Sequence, residues 1–154
     1  MRKKEREITD INEMESIISR ADVCHLAFAV DDTPYIVTMN FGYTGGERRY
    51  LFFHCATEGR KLDMIRKNNR VCFELETDHE VYSGDKGCDW GMKYSSVVGY
   101  GRIFIATDEK ERKEGLDNIL AHYGGSRNYS YDEKVLQQTT ILRLEISEMT
   151  GKRK

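Results

Sequence analysis

The sequence predicts a mainly β protein with peripheral helices, built as one antiparallel barrel of about six strands and three helices over residues 1–154. Three observations carry that expectation. Strand-length runs with alternating or continuous apolar character follow one another across short turns. No βαβ unit repeats. The long run at residues 94–106 is interrupted by Gly99 and Gly101, which suits a bend or bulge in a barrel strand.

The first element is a helix, because Asp10 precedes Ile11, Glu13 follows three residues after Asp10, and Ile11, Met14, Ile17 and Ile18 recur at helical spacing. Residues 23–30 form a compact apolar run of strand length, and Asp31-Asp32-Thr33-Pro34 supplies the turn of a hairpin. In the next strand, residues 35–43, Thr38 and Asn40 share one face while Val37, Met39 and Phe41 share the other. Thr44-Gly45-Gly46-Glu47 makes a second turn, and residues 49–55 are an aromatic-rich third strand. The period then lengthens over residues 58–69, predicting a short helix that leads to a strand at 71–76. After a loop containing Gly84, Gly87 and Gly91 comes the strand at 94–106. Asp108 then caps a helix to about Tyr123, with Leu116, Ile119 and Leu120 as its apolar stripe and Gly124-Gly125 as its stop. Residues 126–132 are expected as loop and 140–146 as the closing strand.

Composition narrows the functional classes. A formal net charge of −2 argues against a general nucleic-acid binder, and the basic ends, Met1-Arg2-Lys3-Lys4 and Gly151-Lys152-Arg153-Lys154, are expected as solvated tails. No run approaches the ~20 apolar residues of a membrane span, and no apolar segment follows the basic start, so a cytoplasmic protein without membrane association is expected. Cys24, Cys55, Cys72 and Cys88 form no C-x-x-C pair, which predicts free thiols, three of them in the core. His25, His54, His79 and His122 match no metal-binding spacing, and no nucleophile elbow is present, so no metal and no hydrolase site is expected, Asp78-His79-Glu80 being taken as solvated loop.

The sharpest constellation is His54-Cys55-Ala56-Thr57-Glu58-Gly59-Arg60-Lys61, where a strand ends in a tight turn and opens a helix bearing two adjacent cations. A phosphate suits that place. Helix-start N–H groups lack partners, Gly59 lets the backbone approach, Arg60 can grip oxygens bidentately and Lys61 adds a point charge. Cations at a helix N-terminus oppose the helix dipole unless an anion joins them. On the polar face of residues 35–43, Thr38 and Asn40 could hydrogen-bond a planar heterocycle. The glycine-flanked loop Cys88-Asp89-Trp90-Gly91-Met92-Lys93-Tyr94-Ser95-Ser96 carries the single tryptophan, which suggests a lid or a subunit contact.

With these residues in view, the chain resembles the FMN-binding split-barrel proteins related to pyridoxamine 5′-phosphate oxidase, in particular the nitroimidazole-resistance (Nim) subgroup. The resemblance runs over nearly the whole length. It is carried by the ordered set Arg6-Glu7-Ile8-Thr9-Asp10, Pro34-Tyr35-Ile36-Val37, Asn40-Phe41-Gly42-Tyr43, Phe53-His54, Glu58-Gly59-Arg60-Lys61, Val71-Cys72-Phe73-Glu74, Trp90-Gly91-Met92, Ser96-Val97-Val98-Gly99-Tyr100-Gly101 and Glu148-Met149-Thr150-Gly151-Lys152. The resemblance implies a six-stranded split barrel that forms a homodimer, with FMN in clefts at the interface. By the family pattern Arg60 and Lys61 bind the FMN phosphate with Thr57 and Gly59, and Val37, Thr38, Met39 and Asn40 border the isoalloxazine. His54 is the catalytic candidate, and Trp90 and Ser96 close the cleft. An FMN-dependent oxidoreductase is implied, passing electrons from a reduced donor to a small flat acceptor such as a nitroaromatic. Non-catalytic flavin or haem binding is the alternative, since other members of the superfamily hold haem or a deazaflavin. One departure counts against vitamin B6 oxidation: the chain ends in Thr150-Gly151-Lys152-Arg153-Lys154, without the arginine-rich C-terminal segment of the true oxidases.

Overall fold

The computed structural model describes residues 3–125 and 129–154, so the first three residues of the expected 126–132 loop and the start of the basic N-terminus lie outside the described residues. Among the described residues there are eight strands where about six were expected: β1 (Glu7–Ile8), β2 (Cys24–Val30), β3 (Thr33–Met39), β4 (Phe41–Thr44), β5 (Tyr50–Ala56), β6 (Arg70–Tyr82), β7 (Gly91–Ile105) and β8 (Thr139–Arg153). Four α-helices accompany them among the described residues, α1 (Ile11–Arg20), α2 (Arg60–Lys67), α3 (Glu109–His122) and α4 (Glu133–Gln137), with short 3-10 turns at Lys4–Arg6 and Gly87–Asp89.

The strands join in the order β3-β2-β6-β7-β8-β5-β4, all pairs antiparallel, with β1 adding to β8. β3 and β4 stand at opposite ends of that order, yet Asn40 alone separates them in the chain. The sheet must therefore curl until its two edges meet at Asn40 without pairing to each other, which is a split barrel. Here the single strand expected over residues 35–43 is corrected to two. The alternation continues across the break, with Met39 and Phe41 both buried and Thr38 and Asn40 exposed, so the pattern gives no sign that the hydrogen-bonding partner changes.

The barrel interior is filled by side chains such as Leu26, Phe41, Phe53, Phe73, Val97 and Leu144. α1 covers it from the β6 and β7 side. Asp10 caps that helix by accepting from the Asn12 N–H, and Ile17 and Ile18 are fully buried, each contributing roughly 1.5–3 kcal/mol of apolar burial. α2 packs on β2. α3 lies on the outer surface of β4, β5 and β8, over Phe52 and Ile141. Its buried face is Gly115, Asn118 and Ile119, whereas Leu116 and Leu120 of the expected stripe are half-buried. Gly115 lets α3 approach: a Cβ there would stand 2.6 Å from Ile141 Cγ2.

The β2–β3 hairpin turns on Asp31 and Asp32 alone, both at positive φ (50° and 58°), as a two-residue turn requires. Pro34 is already inside β3, tolerated because β3 is an edge strand. The expected irregularity at the glycines is present: Tyr100 pairs with Glu148 but Gly101 pairs with Ile146, leaving Ser147 as the extra residue of a bulge.

β6, β7 and β8 are longer than the sequence suggested. β6 and β7 run together to the pair Tyr82–Gly91, with an irregularity between Thr77 and Glu80, and form an exposed hairpin arm. The C-terminal end is not a solvated tail: Lys152 and Arg153 belong to β8, pairing with Ser96 and Ser95, and Gly151 is buried against Ile8 and Met14. α4, with no buried residue, left no apolar stripe to find. Cys24 is buried, Cys55 and Cys72 are half-buried, Cys88 is exposed, and all four are free.

Candidate functional site

α2 begins abruptly. Gly59 is its N-cap at φ +129°, a backbone that side chains other than glycine's rarely adopt, and a Cβ there would meet nothing within 4 Å. The turn is thus shaped by backbone conformation and opens to solvent. Its carbonyl accepts from Leu62 (2.9 Å) and Asp63 (3.3 Å), and no side chain caps the helix. The N–H groups of Arg60 and Lys61 precede these bonds and belong to the donors that an α-helix leaves without internal partners.

The side chains continue the theme. Arg60 is exposed, and its guanidinium carbon lies 4.6 Å from the ring centroid of Tyr35 on β3. A cavity of about 250 Å³ is lined by Arg60 together with Val30, Asp31, Thr33, Asp63, Met64 and Lys67. Lys61 is close enough to the Cys55 thiol to pull its pKa down, although burial dominates and pushes that thiol up. Two cations, uncapped amides and an open glycine turn are the donor set for a phosphate monoester, so the residues present fit one.

β3 heads the sheet order, and one of its edges has no strand partner. Thr38 is exposed on its outer face and Asn40 at the crossing, whereas Val37 points to the core, half-buried, and Met39 is buried. The latter two can therefore meet a ligand through their backbone only. His54 is exposed on the outer face of β5, paired with Ile141. The other expected residues are more dispersed. Thr57 lines a separate cavity of about 290 Å³ with Thr107, Arg112, Thr139 and Thr140. Ser96 is buried in β7 between Glu76 and Lys152. Trp90, 60% exposed, stands at the tip of the β6–β7 arm, its indole N–H donating to the Gly84 carbonyl at 3.1 Å.

Sequence reasoning missed the residues next to Thr38. The Thr38 hydroxyl and His25 Nδ1 are 3.2 Å apart across the β2–β3 pair, and His25 is in turn the register partner of Glu74 on β6. Burial, reinforced by the neighbouring Glu76 carboxylate, raises the Glu74 carboxyl to about 7. The available signal was two carboxylates at i and i+2 in an otherwise apolar strand. The same outer face carries a groove of about 610 Å³, floored by Ala27, Ala29 and Cys72 and flanked by Arg70, Tyr100 and Arg102. None of the residues expected from sequence lines it.

A family model described as pyridoxamine 5′-phosphate oxidase matches residues 10–153. The chain belongs to the pyridoxamine 5′-phosphate oxidase family. This family member is similar to a solved Bacteroides thetaiotaomicron protein provisionally described as a 5-nitroimidazole antibiotic resistance protein, at 30% identity and a TM-score of 0.82, covering 96% of this chain and 86% of that one. Two more distant structures share the fold at 16% identity. A flavocytochrome from Azotobacter vinelandii gives a TM-score of 0.81 over 100% of this chain and 72% of its own. A protein of Mycobacterium smegmatis described as binding FAD and heme gives 0.78 over 96% and 73%. An uncharacterized Rhizobium meliloti protein is 32% identical over 63 residues, which span 41% of this chain and only 39% of that relative.

Proposed function

We propose that this member of the family binds FMN and works as an oxidoreductase on a small flat acceptor such as a nitroaromatic. The observation that carries the reading is the first turn of α2, where Arg60 and Lys61 follow Gly59 at φ +129° without a capping side chain. Arg60 would grip the phosphate, with Tyr35 holding the guanidinium in place, and the amides of Arg60 and Lys61 would donate to the remaining oxygens. Thr38, Asn40 and the free edge of β3 would hydrogen-bond the ring. Bound flavin would supply electron and hydride transfer between a reduced donor and the acceptor. His54, exposed on β5, would hold the proton that a reduced acceptor takes up.

Assembly as a homodimer is part of the proposal. Ile36 and Tyr100 are 64% and 50% exposed on the outer sheet face that includes the groove, an apolar surface suited to cover by a second copy. Trp90 on its arm would then reach a neighbouring protomer rather than its own Arg60. A soluble cytoplasmic protein fits the absence, among the described residues, of any helix long and apolar enough to cross a membrane.

The second reading is a flavin or haem carrier without turnover. It is favoured by the flavocytochrome and the FAD and heme binding protein among the structural neighbours, and by an exposed histidine, His54, that would be available to bind haem iron. The test is the absorbance spectrum of the purified protein, followed by titration with FMN, riboflavin and haem. Flavin bands and preference for FMN over riboflavin, lost in Arg60→Ala with Lys61→Ala, are expected. A haem band alone supports the second reading, and equal affinity for FMN and riboflavin sinks the phosphate site.

A further inference from the structure

On the outer face of the sheet, three potential ligands converge from two strands: His25 of β2 and Glu74 and Glu76 of β6. The register explains how. His25 and Glu74 are directly opposed across β2–β6, and Glu74 and Glu76 are two residues apart on one strand, hence on one face. One ligand atom from each lies within 4.8 Å of the other two. His25 Nε2 is 3.6 Å from Glu76 Oε1.

The charge balance of this cluster is unusual. Among the ion pairs of the described residues, Glu76 has His25 as its partner and Glu74 has none, so no lysine or arginine answers two adjacent carboxylates. Glu74 and Glu76 share a side-chain hydrogen bond, and both His25 and Glu74 are half-buried. The ring of His25 is held at its far side, with Nδ1 3.2 Å from the Thr38 hydroxyl. In the tautomer whose Nδ1–H donates to that hydroxyl, Nε2 is the nitrogen left for a metal; in the other, Nε2–H points toward the Glu76 carboxylate. A cation among the three would bond to the imidazole and to both carboxylates, and a hydroxyl on the second nitrogen is the support a metal-binding imidazole needs.

We infer that His25, Glu74 and Glu76 form a binding site for a divalent first-row transition ion, zinc in the first instance. One imidazole and two carboxylates are a donor set of intermediate hardness suited to Zn²⁺ or Mn²⁺, and three protein ligands leave a position for water. Bonds of about 2.0–2.2 Å place tetrahedral ligands about 3.4 Å apart, so the cluster has to contract by about an ångström. The exposed Glu76 side chain has the freedom to supply that movement. The site shares Thr38 with the proposed flavin site, but its three ligands are separate from that site.

The test is calorimetric titration of the EDTA-treated full-length protein with ZnCl₂, and a parallel titration with CoCl₂ followed by absorbance. One zinc per chain is expected, weakened at least about ten-fold in His25→Gln and in Glu76→Gln. Glu76 is exposed, so its variant removes a ligand without disturbing the core, and circular dichroism checks that both variants fold. The cobalt spectrum should show ligand-field bands without a thiolate charge-transfer band. Affinity unchanged in both variants, a thiolate band pointing to Cys55, Cys72 or Cys88, or no zinc uptake would each overturn the assignment. Flavin absorbance recorded on the same samples keeps a failure of the flavin reading separate from a failure of this one.

Discussion

The guanidinium of Arg60 lies over the ring of Tyr35, 4.6 Å from its centroid, so the first turn of α2 is tied to the free edge strand β3 by a cation–π contact. The two parts of the expected ligand, phosphate and ring, would meet these two elements. Arg60→Lys keeps the charge but loses the planar fork and the stacking. FMN affinity should fall by about ten-fold while riboflavin affinity stays unchanged. Equal losses for both flavins in fluorescence-quench titrations would remove Arg60 from the phosphate site.

The fold was legible where the sequence pattern is local. The capped α1, the Asp31-Asp32 turn, the aromatic β5 and the glycine-marked bulge in β7 all follow from residues within a few positions of one another. The division of residues 35–43 was not, because Met39 and Phe41 keep the same inward alternation while their strands pair at opposite ends of the sheet. The glycine turn that opens α2 was legible for the same local reason. His25, Glu74 and Glu76 were not, since the cluster exists only through the β2–β6 register, which joins residues 49 apart in sequence at His25 and Glu74. Trp90 itself lies in the expected loop, but residues 91–96 of that loop belong to β7, because the length of the arm depends on the pairing of β6 with β7.

Glu74 should make stability depend on pH. Its carboxyl is raised from 4.5 to about 7 by burial and by the adjacent Glu76, so the folded state holds its proton more tightly than the unfolded chain. The resulting stabilisation is complete below about pH 4.5 and is lost as pH rises through 7. In EDTA buffer, the wild type should lose Tm relative to Glu74→Gln between pH 5 and pH 8, because the amide has no proton to release. Parallel Tm curves for the two proteins would show that Glu74 titrates normally.

Gly42 fixes how closely α3 can approach β4. A Cβ at this position would stand 2.5 Å from the Ile119 nitrogen and 2.6 Å from the Asn118 oxygen, both main-chain atoms that cannot rotate aside. Gly42→Ala should therefore destabilise the protein by about 1–3 kcal/mol in urea unfolding, as overpacking does. Gly87→Ala is the control, because nothing lies within 4 Å of its Cβ position and its φ is not in the left-handed region. A Gly42→Ala protein as stable as the control would mean that α3 can shift outward at little cost.

The end of α3 is anchored to the point where the sheet's two edges meet. The Tyr123 hydroxyl donates to the Asp22 carbonyl at 2.7 Å and accepts from the Phe41 N–H at 3.3 Å, the residue that follows Asn40. Alongside it, His122 lies 2.8 Å from the Ala21 carbonyl through Nε2 and stacks near Phe41, with ring centroids 4.1 Å apart. Tyr123→Phe keeps the ring and removes both hydroxyl bonds, which should cost about 1 kcal/mol and lower Tm by about 2–4 °C for a chain of this size. The local consequence is sharper than the global one. Phe41 loses the partner of its amide at the covalent seam of the barrel, so hydrogen exchange at Phe41 should accelerate more than at Phe53, its register partner within the barrel. Uniform acceleration at both amides would mean that Tyr123 contributes to overall stability without holding the seam, and the closing of β3 against β4 would then rest on the core packing of Met39 and Phe41.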